Sequence, residues 1–189
     1  DATFLPWSLD PHAGRLGCLR THMARVNPQW RAQGPAMVIL HGPDDYIDPS
    51  DHEAPGQVPT WDHLTMHVHG TLVAHEEPEW IIASLGELVD AQPTDWRMEE
   101  LDPERLRGMV AAIVGLELRI TSIVGKAKMS QNRHPDDIRG LADELEKRGE
   151  TRMAEFLRTV SLPYAEQRFA VLARLRGARA LHEEVRDFH

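Results

Sequence analysis

Residues 58–75 read VPTWDHLTMHVHGTLVAH, and the second part of this stretch decides the fold class. Within Leu64–His75, polar threonine and histidine side chains alternate with apolar residues and a glycine. Because successive side chains of a β-strand point to opposite faces, this period of two predicts a strand with one polar and one apolar face. The chain is therefore expected to build a sheet that packs on a core with one of its faces.

Further strands are expected on both sides of this stretch, where short β-rich runs are bounded by glycine, proline and aspartate. The predicted strands are Thr3–Leu9, Leu16–Met23, Ala36–His41 and Ile113–Val124. Between the third of these strands and the quoted stretch, Gly42–Gly56 is rich in proline and acidic residues, which predicts an irregular loop.

Helical patterns interrupt and then follow the β-rich part, several of them with a proline near the first position. The predicted helices are Pro78–Ala91, Pro103–Val110, Pro135–Arg148, Thr151–Val160 and Pro163 to the C-terminus. This order of elements predicts an α+β fold. We expect a β-rich core with inserted helices over residues 1–134 and a helical C-terminal region over residues 135–189.

Composition limits the classes of protein to which the chain can belong. Its 189 residues are 41% hydrophobic and 27% charged, which is typical of one globular domain, alone or with an appendage. The formal net charge is −9 and no cluster of five or more basic residues occurs, so direct binding of nucleic acid is not expected. No apolar run reaches the roughly 20 residues that a membrane-spanning helix needs.

The single cysteine, Cys18, cannot form a disulfide within the chain, so a reducing cytoplasm is the expected compartment. The first residue is Asp1 rather than methionine, and we expect an N-terminal segment to be missing from this sequence. The sequence contains no Walker loop, nucleophile elbow, Gly-x-Gly-x-x-Gly fingerprint or Cys-x-x-Cys pair. The usual sites of hydrolases, nucleotide-binding proteins and thiol oxidoreductases are therefore not predicted.

Two polar segments are candidates for binding chemistry, and the first lies on the alternating strand. His67 and His69 are two residues apart and share a face, a geometry that can hold zinc or iron if Asp62 or Glu53 joins them. Those two carboxylates lie in or beside a flexible loop. A polar barrel face or subunit interface is therefore favoured, and no metal site is predicted.

The second segment is KAKMSQNR at residues 126–133, which places several donors where a strand gives way to a loop. Lysine ammonium groups, a serine hydroxyl and two side-chain amides together suit a phosphate dianion. A polar turn that caps the following helix explains the same residues equally well. The local sequence leaves both interpretations open.

Four motifs occur in an order that resembles the PaiB family. They are HMARVNPQWR at residues 22–31, VPTW at residues 58–61, His67 with Gly70, and KMSQNR at residues 128–133. The similarity runs from Ala2 to about Leu157. It implies an FMN-binding, flavin-reductase-like split β-barrel, a homodimer with the cofactor at or near the subunit interface, and a negative regulator of transcription.

The resemblance also implies where the cofactor binds. Lys128, Ser130 and Gln131 are expected to hold the polar end of FMN, while Trp30 and Trp61 serve as aromatic walls, as interface anchors or as core residues. The expected cofactor-binding residues are His22, Trp30, Thr60, Trp61, His67, Lys128, Ser130, Gln131 and Asn132. No catalytic residue is assigned.

One branch that resembles PaiB proteins binds haem b and forms the nitrogen–nitrogen bond of piperazate from N-hydroxyornithine. In this alternative His22 is the haem-iron ligand, since a neutral imidazole suits that role. PaiB-like proteins usually carry Asn-Tyr where this chain has Asp62-His63, and a carboxylate there would repel a flavin phosphate. A cofactor-free interaction protein that keeps the barrel as a dimer scaffold is the third hypothesis.

Overall fold

The strands of the described residues form one five-stranded sheet. In the computed structural model, residues 2–52 and 56–186 are described, with side-chain environments as far as residue 176. The strands are β1 (Ser8–Asp10), β2 (Cys18–Ala24), β3 (Gly34–Ile47), β4 (Thr60–His75) and β5 (Ile113–Lys128). Their order in the sheet is β1-β2-β5-β4-β3, and β2 pairs antiparallel with both β1 and β5. This sheet, with its accompanying helices, confirms the predicted α+β fold of split-barrel type.

The helices begin close to where the sequence predicts them. The α-helices of the described residues are α1 (Pro78–Asp90), α2 (Pro103–Ala111), α3 (Pro135–Lys147), α4 (Thr151–Phe156) and α5 (Leu162–Arg186). The predicted helix Thr151–Val160 is divided between α4 and a π-helical turn, Leu157–Ser161, that leads into α5. Within the described part of the chain, no helix combines the length and apolar character needed to cross a membrane.

The chain divides into two compact units, each with its own core. The first unit comprises Asp1–Leu40 and Met66–Val124, and the second comprises His41–Thr65 and Gly125–His189. The apolar side chains that pack together in the first unit are Trp7, Leu19, Ala36, Val38, Leu40, Val68, Leu72, Leu118 and Ile120. The division into a β-rich core over residues 1–134 and a helical C-terminal region over residues 135–189 remains a prediction.

The core of the second unit is organised around α3. Its buried residues Ile138, Leu141, Ala142 and Leu145 follow the spacing of three and four that places side chains on one helical face. Burial of each leucine-sized side chain contributes about 2 kcal/mol. The residues that pack against this face are Ile47, Leu64, Met129, Met153, Ala154, Phe156, Leu157, Leu162 and Ala165.

The first predicted strand is wrong over most of its length. Thr3–Leu9 was expected to form a strand, whereas only Ser8–Asp10 pairs with β2. Pro6 has no amide hydrogen to donate to a neighbouring strand, which limits pairing on this side. The carbonyl of Pro6 instead accepts a hydrogen bond from the Thr21 hydroxyl.

The predicted loop Gly42–Gly56 is also wrong in part, because β3 continues to Ile47 and a 3-10 turn follows at Pro49–Asp51. Strand β3 lies at the edge of the sheet, where a proline such as Pro43 is tolerated because one side of the strand pairs with no other described strand. The acidic residues that signalled a loop instead cap the turn, where Asp48 Oδ1 accepts a hydrogen bond from the Ser50 amide at 2.9 Å.

Gly70 allows β4 to pass closely over β5 in the first unit. A Cβ atom built at this position would lie 2.4 Å from the carbonyl oxygen of Arg119 and 2.9 Å from Cγ of Leu118. The first distance is well below any normal carbon–oxygen contact. Glycine therefore fits there without displacing the neighbouring strand.

Replacement of Gly70 by alanine is expected to lower the free energy of unfolding by about 1–3 kcal/mol, because the added methyl group overlaps a backbone carbonyl. Urea denaturation measures the change. Gly108 in α2 is the matched control, since an added Cβ meets no described atom within 4 Å and alanine improves helix propensity by about 1 kcal/mol. Equal losses in the two variants would contradict the close approach at Gly70.

Candidate functional site

The start of β4 and the end of β5 bring four of the expected cofactor-binding residues together in the second unit. The Lys128 ammonium donates hydrogen bonds to the Thr60 hydroxyl and, at 2.6 Å, to the Trp61 carbonyl. It also lies 3.6 Å from Oδ1 of Asp62, whose Oδ2 accepts a hydrogen bond from the Ser130 hydroxyl at 2.6 Å. We call Thr60, Trp61, Asp62, Lys128 and Ser130 the lysine cluster.

A tight turn after β5 holds Ser130 in place. Ser130 has a φ of 55°, the left-handed conformation that costs a residue with a side chain about 1–2 kcal/mol. Gln131 stabilises the turn, because its side-chain oxygen accepts from the Met129 amide at 2.9 Å and its side-chain nitrogen donates to the Ala127 carbonyl at 3.0 Å. The Gln131 amide thus binds the turn itself and does not cap the following helix, whose N-cap residue is His134.

Asp62 is the charged residue on which the lysine cluster depends. Its side chain is buried, with a relative exposure of 1%. Burial raises the pKa of Asp62 above its ordinary value, while the Ser130 hydrogen bond and the Lys128 charge act in the opposite direction. The carboxylate faces these internal partners, and the positive charge of Lys128 offsets part of the repulsion of a flavin phosphate that the sequence predicted at this position.

Trp61 is the exposed aromatic residue of the lysine cluster. It retains 54% of its accessible surface, which excludes the core role that the sequence left open. The indole nitrogen donates a hydrogen bond to Oδ1 of Asp44 at 2.8 Å, and the Tyr46 ring lies 6.2 Å away, tilted by 58°. These contacts orient an aromatic surface that remains available to a planar ligand or a second subunit.

A basic cleft lies beside the lysine cluster, entirely within the second unit. It has a volume of about 490 Å³, and none of the described residues that line it carries a carboxylate. Its lining residues are Lys126, Ala127, Lys128, Gln131, Asn132, Tyr164 and Arg168. Tyr164 and Arg168 were not among the expected site residues, because nothing in the local sequence relates α5 to a turn more than 30 residues earlier.

His52 is a buried residue for which the sequence carries no functional signal. Its relative exposure is 9%, and neither ring nitrogen has a hydrogen-bond partner among the described residues. Burial lowers the pKa of His52, and the positive charge of Arg133 acts in the same direction. The imidazole is therefore neutral at neutral pH.

The other expected cofactor-binding residues, His22, Trp30 and His67, belong to the first unit. His22 lies partly buried on β2, and burial lowers its pKa. The Trp30 indole donates to the Arg25 carbonyl at 3.0 Å, and the Arg31 guanidinium lies 4.7 Å from the ring centroid, so Trp30 shapes its own turn. No described hydrogen bond or ring contact joins these three residues to one another.

The pair His67 and His69 lies on β4, as the alternating pattern predicts. Among the described residues, no group of three or more histidine, cysteine, aspartate or glutamate side chains converges as metal ligands. The main-chain carbonyl of His69 accepts a hydrogen bond from the Thr121 hydroxyl at 3.2 Å, which places β5 beside this segment.

The chemistry of the second unit fits FMN. The phosphate of FMN is an anion, and the described lining of the basic cleft offers ammonium, guanidinium and amide donors and no carboxylate. The ring system of FMN is planar and aromatic, and Trp61 offers an exposed aromatic surface. Lys128 belongs to both the cleft and the lysine cluster, so the two features adjoin.

Comparison with known proteins supports the same cofactor. The family model described as "Putative FMN-binding domain" matches residues 1–122. The chain is 30% identical over 133 residues to "Protease synthase and sporulation protein PAI 2" of Bacillus subtilis (strain 168), a match that covers 66% of this chain and 63% of that protein. It is 24% identical over 176 residues to an uncharacterised protein of Aspergillus fumigatus, covering 70% of this chain and 67% of the relative.

The family match spans more than half of the chain and includes Thr60 and Trp61, whereas Lys128 and Ser130 lie beyond it. The lysine cluster therefore links the matched part to residues outside it. FMN is the cofactor that this match assigns. The chain belongs to the PaiB-like family of FMN-binding proteins.

Proposed function

We propose that this protein binds FMN in order to act as a regulator or sensor in transcription, without gripping DNA itself. The lysine cluster is the observation that carries the proposal, because it joins two PaiB-like motifs at an exposed aromatic residue. Bound FMN supplies a redox-active ring that exchanges electrons. A regulator with a net charge of −9 is better suited to sensing through a cofactor and a partner than to holding a DNA backbone.

Each residue of the lysine cluster has a distinct role in this proposal. The Lys128 side chain is 47% exposed, so its ammonium supplies positive charge at the surface where FMN binds. Asp62 and Ser130 are positioning residues that fix the end of β5 and with it Lys128. Trp61 contacts the aromatic ring of the cofactor.

The first unit supports the proposal that the protein is a homodimer. In β3, Ala36, Val38 and Leu40 pack into the core, whereas Met37 and Ile39 point the other way and are each 47% exposed. Met66, Ile123 and Val124 are further exposed apolar side chains of this unit. Apolar surface of this kind marks interfaces between proteins, and a second copy of the chain is the partner we propose.

The haem alternative rests on His22, whose lowered pKa keeps the imidazole neutral, as an iron ligand must be. The same residue belongs to the PaiB-like motif from which FMN is inferred. The comparisons name FMN and do not favour haem. We therefore place FMN first and use haem as a competing outcome in the experiment below.

The full chain, incubated with FMN and passed through gel filtration, is expected to retain a flavin absorption band at about 450 nm. Lys128→Met is expected to weaken FMN binding more than about tenfold, because one charge-assisted contact is lost. Lys147→Met is the control, since Lys147 pairs only with Glu144 on α3 among the described contacts. A Soret band at about 400 nm after addition of haem, without flavin uptake, would contradict the proposal. So would failure to take up either cofactor.

The raised pKa of Asp62 predicts how stability depends on pH. The folded protein holds the Asp62 proton to higher pH than the unfolded chain, so this carboxyl favours folding below about pH 4 and loses that contribution as the pH rises through its raised pKa. The free energy of unfolding of the wild type, relative to Asp62→Asn, is therefore expected to fall from about pH 4 to pH 7. Urea denaturation across this range measures the difference.

Asp48→Asn is the control, because the pH dependence of stability at Asp48 is expected to run in the opposite direction. Hydrogen bonds from Ser50 lower the pKa of Asp48, so its contribution is present above the unfolded pKa and is lost as the pH falls. A difference between wild type and Asp62→Asn that stays constant or rises with pH would show that Asp62 is not held in a buried, proton-retaining environment.

Introduction of a charge at Ile39 tests the proposed dimer. Ile39→Lys is expected to shift the chain from dimer to monomer in sedimentation equilibrium, because an ammonium group would be buried without a partner. Val26→Lys is the control, because Val26 is exposed outside the strands of the first unit. A monomeric wild type, or an unchanged dimer in Ile39→Lys, would refute this interface.

A further inference from the structure

We infer that the basic cleft binds a phosphate monoester, with Lys126 and Arg168 as cations that contact it in addition to Lys128. The phosphate belongs either to FMN or to a separate phosphorylated ligand. In the first case the inference rests on the proposed function and deepens it. In the second it stands independently.

The charge of the cleft differs from that of the whole chain. Acidic residues outnumber lysine and arginine by 30 to 21 in the sequence. Among the residues that the structure describes, the cleft lining nevertheless contains two lysines, an arginine and two side-chain amides, and no acidic residue. A concave surface of one sign concentrates the electrostatic field and attracts an oppositely charged ligand.

Lys126 supplies charge that the lysine cluster does not neutralise. Lys126 and Lys128 are two residues apart on β5, so their side chains share a face of the strand. The Lys128 ammonium is already bound to Thr60 and to the Trp61 carbonyl and lies near Asp62. Lys126 is exposed on β5 and has no ion pair within the described part of the chain.

Arg168 is held in position to use its remaining donors. One N–H group donates to the Asn132 carbonyl at 2.9 Å, and the guanidinium lies 5.5 Å from the centroid of the Phe169 ring. A guanidinium has five N–H donors in a planar fork that matches the oxygens of a phosphate. The contact with Asn132 therefore orients the group without exhausting it.

The wall formed by α5 is fixed relative to the turn that carries Asn132. The Ser161 hydroxyl donates to the Met129 carbonyl at 2.7 Å, which ties the residue before α5 to the same turn. Tyr164 lies four residues before Arg168 on α5, so both residues occupy one side of the helix. The Tyr164 hydroxyl is thus a further donor at the rim of the cleft.

Three probes test the inference with the full chain: FMN, riboflavin and inorganic phosphate. Flavin affinity is measured by fluorescence titration, and phosphate binding by phosphorus NMR line broadening. Arg168→Ala and Lys126→Ala are compared with the wild type. Arg174→Ala is the matched control on α5 and Lys147→Ala the control for lysine, since neither residue lines the cleft.

If the cleft binds the phosphate of FMN, Arg168→Ala and Lys126→Ala are expected to weaken FMN about tenfold and to leave riboflavin unchanged, because riboflavin lacks the phosphate. If the ligand is separate, both variants lose inorganic phosphate binding about tenfold while FMN affinity stays the same. Either result supports the inference, provided that the two controls behave as the wild type.

The inference is overturned if both variants bind FMN and phosphate as the wild type does, or if the controls lose binding equally. A wild type that binds FMN and riboflavin with equal affinity and does not bind inorganic phosphate would overturn the inference and leave the proposed function intact. A wild type that binds phosphate in the cleft but neither flavin would overturn the proposed function alone. Binding of none of the three probes would overturn both.

Discussion

Burial of the Asp62 carboxylate is the constraint on which the candidate site depends. A carboxyl group with 1% exposure is costly unless nearby groups satisfy its oxygens. The Ser130 hydroxyl at 2.6 Å and the Lys128 ammonium at 3.6 Å provide that satisfaction. They also join the start of β4 to the turn after β5. Asp62, which replaces the asparagine usual in PaiB-like proteins, thereby holds Lys128 in place.

The helices and strands that depend on residues adjacent in sequence were predictable from the sequence. Pro78, Pro103 and Pro135 each occupy the first turn of a helix, where a missing amide hydrogen carries no penalty, and the predicted starts of α1, α2 and α3 are confirmed. The alternation within Leu64–His75 likewise became β4. Local chemistry was sufficient in these places because no distant contact competed with it.

The errors and omissions have non-local causes. Pro43 is compatible with a strand only because β3 lies at the edge of the sheet, and its own sequence does not reveal that position. Gln131 binds the turn, although its donors equally suited a phosphate. Arg168 approaches Asn132 across 36 residues, and Ser130 approaches Asp62 across 68. Contacts of that separation form through packing rather than through local pattern.

The central claim is that Asp62 positions Lys128 for FMN, and a double-mutant cycle measures that coupling most directly. FMN affinity is determined by fluorescence titration for the wild type, Asp62→Asn, Lys128→Met and the double variant. We expect the double variant to bind FMN about as weakly as Lys128→Met alone, with a coupling energy of about 1 kcal/mol or more. Additive losses would contradict the claim, because they would show that the two side chains act on FMN independently.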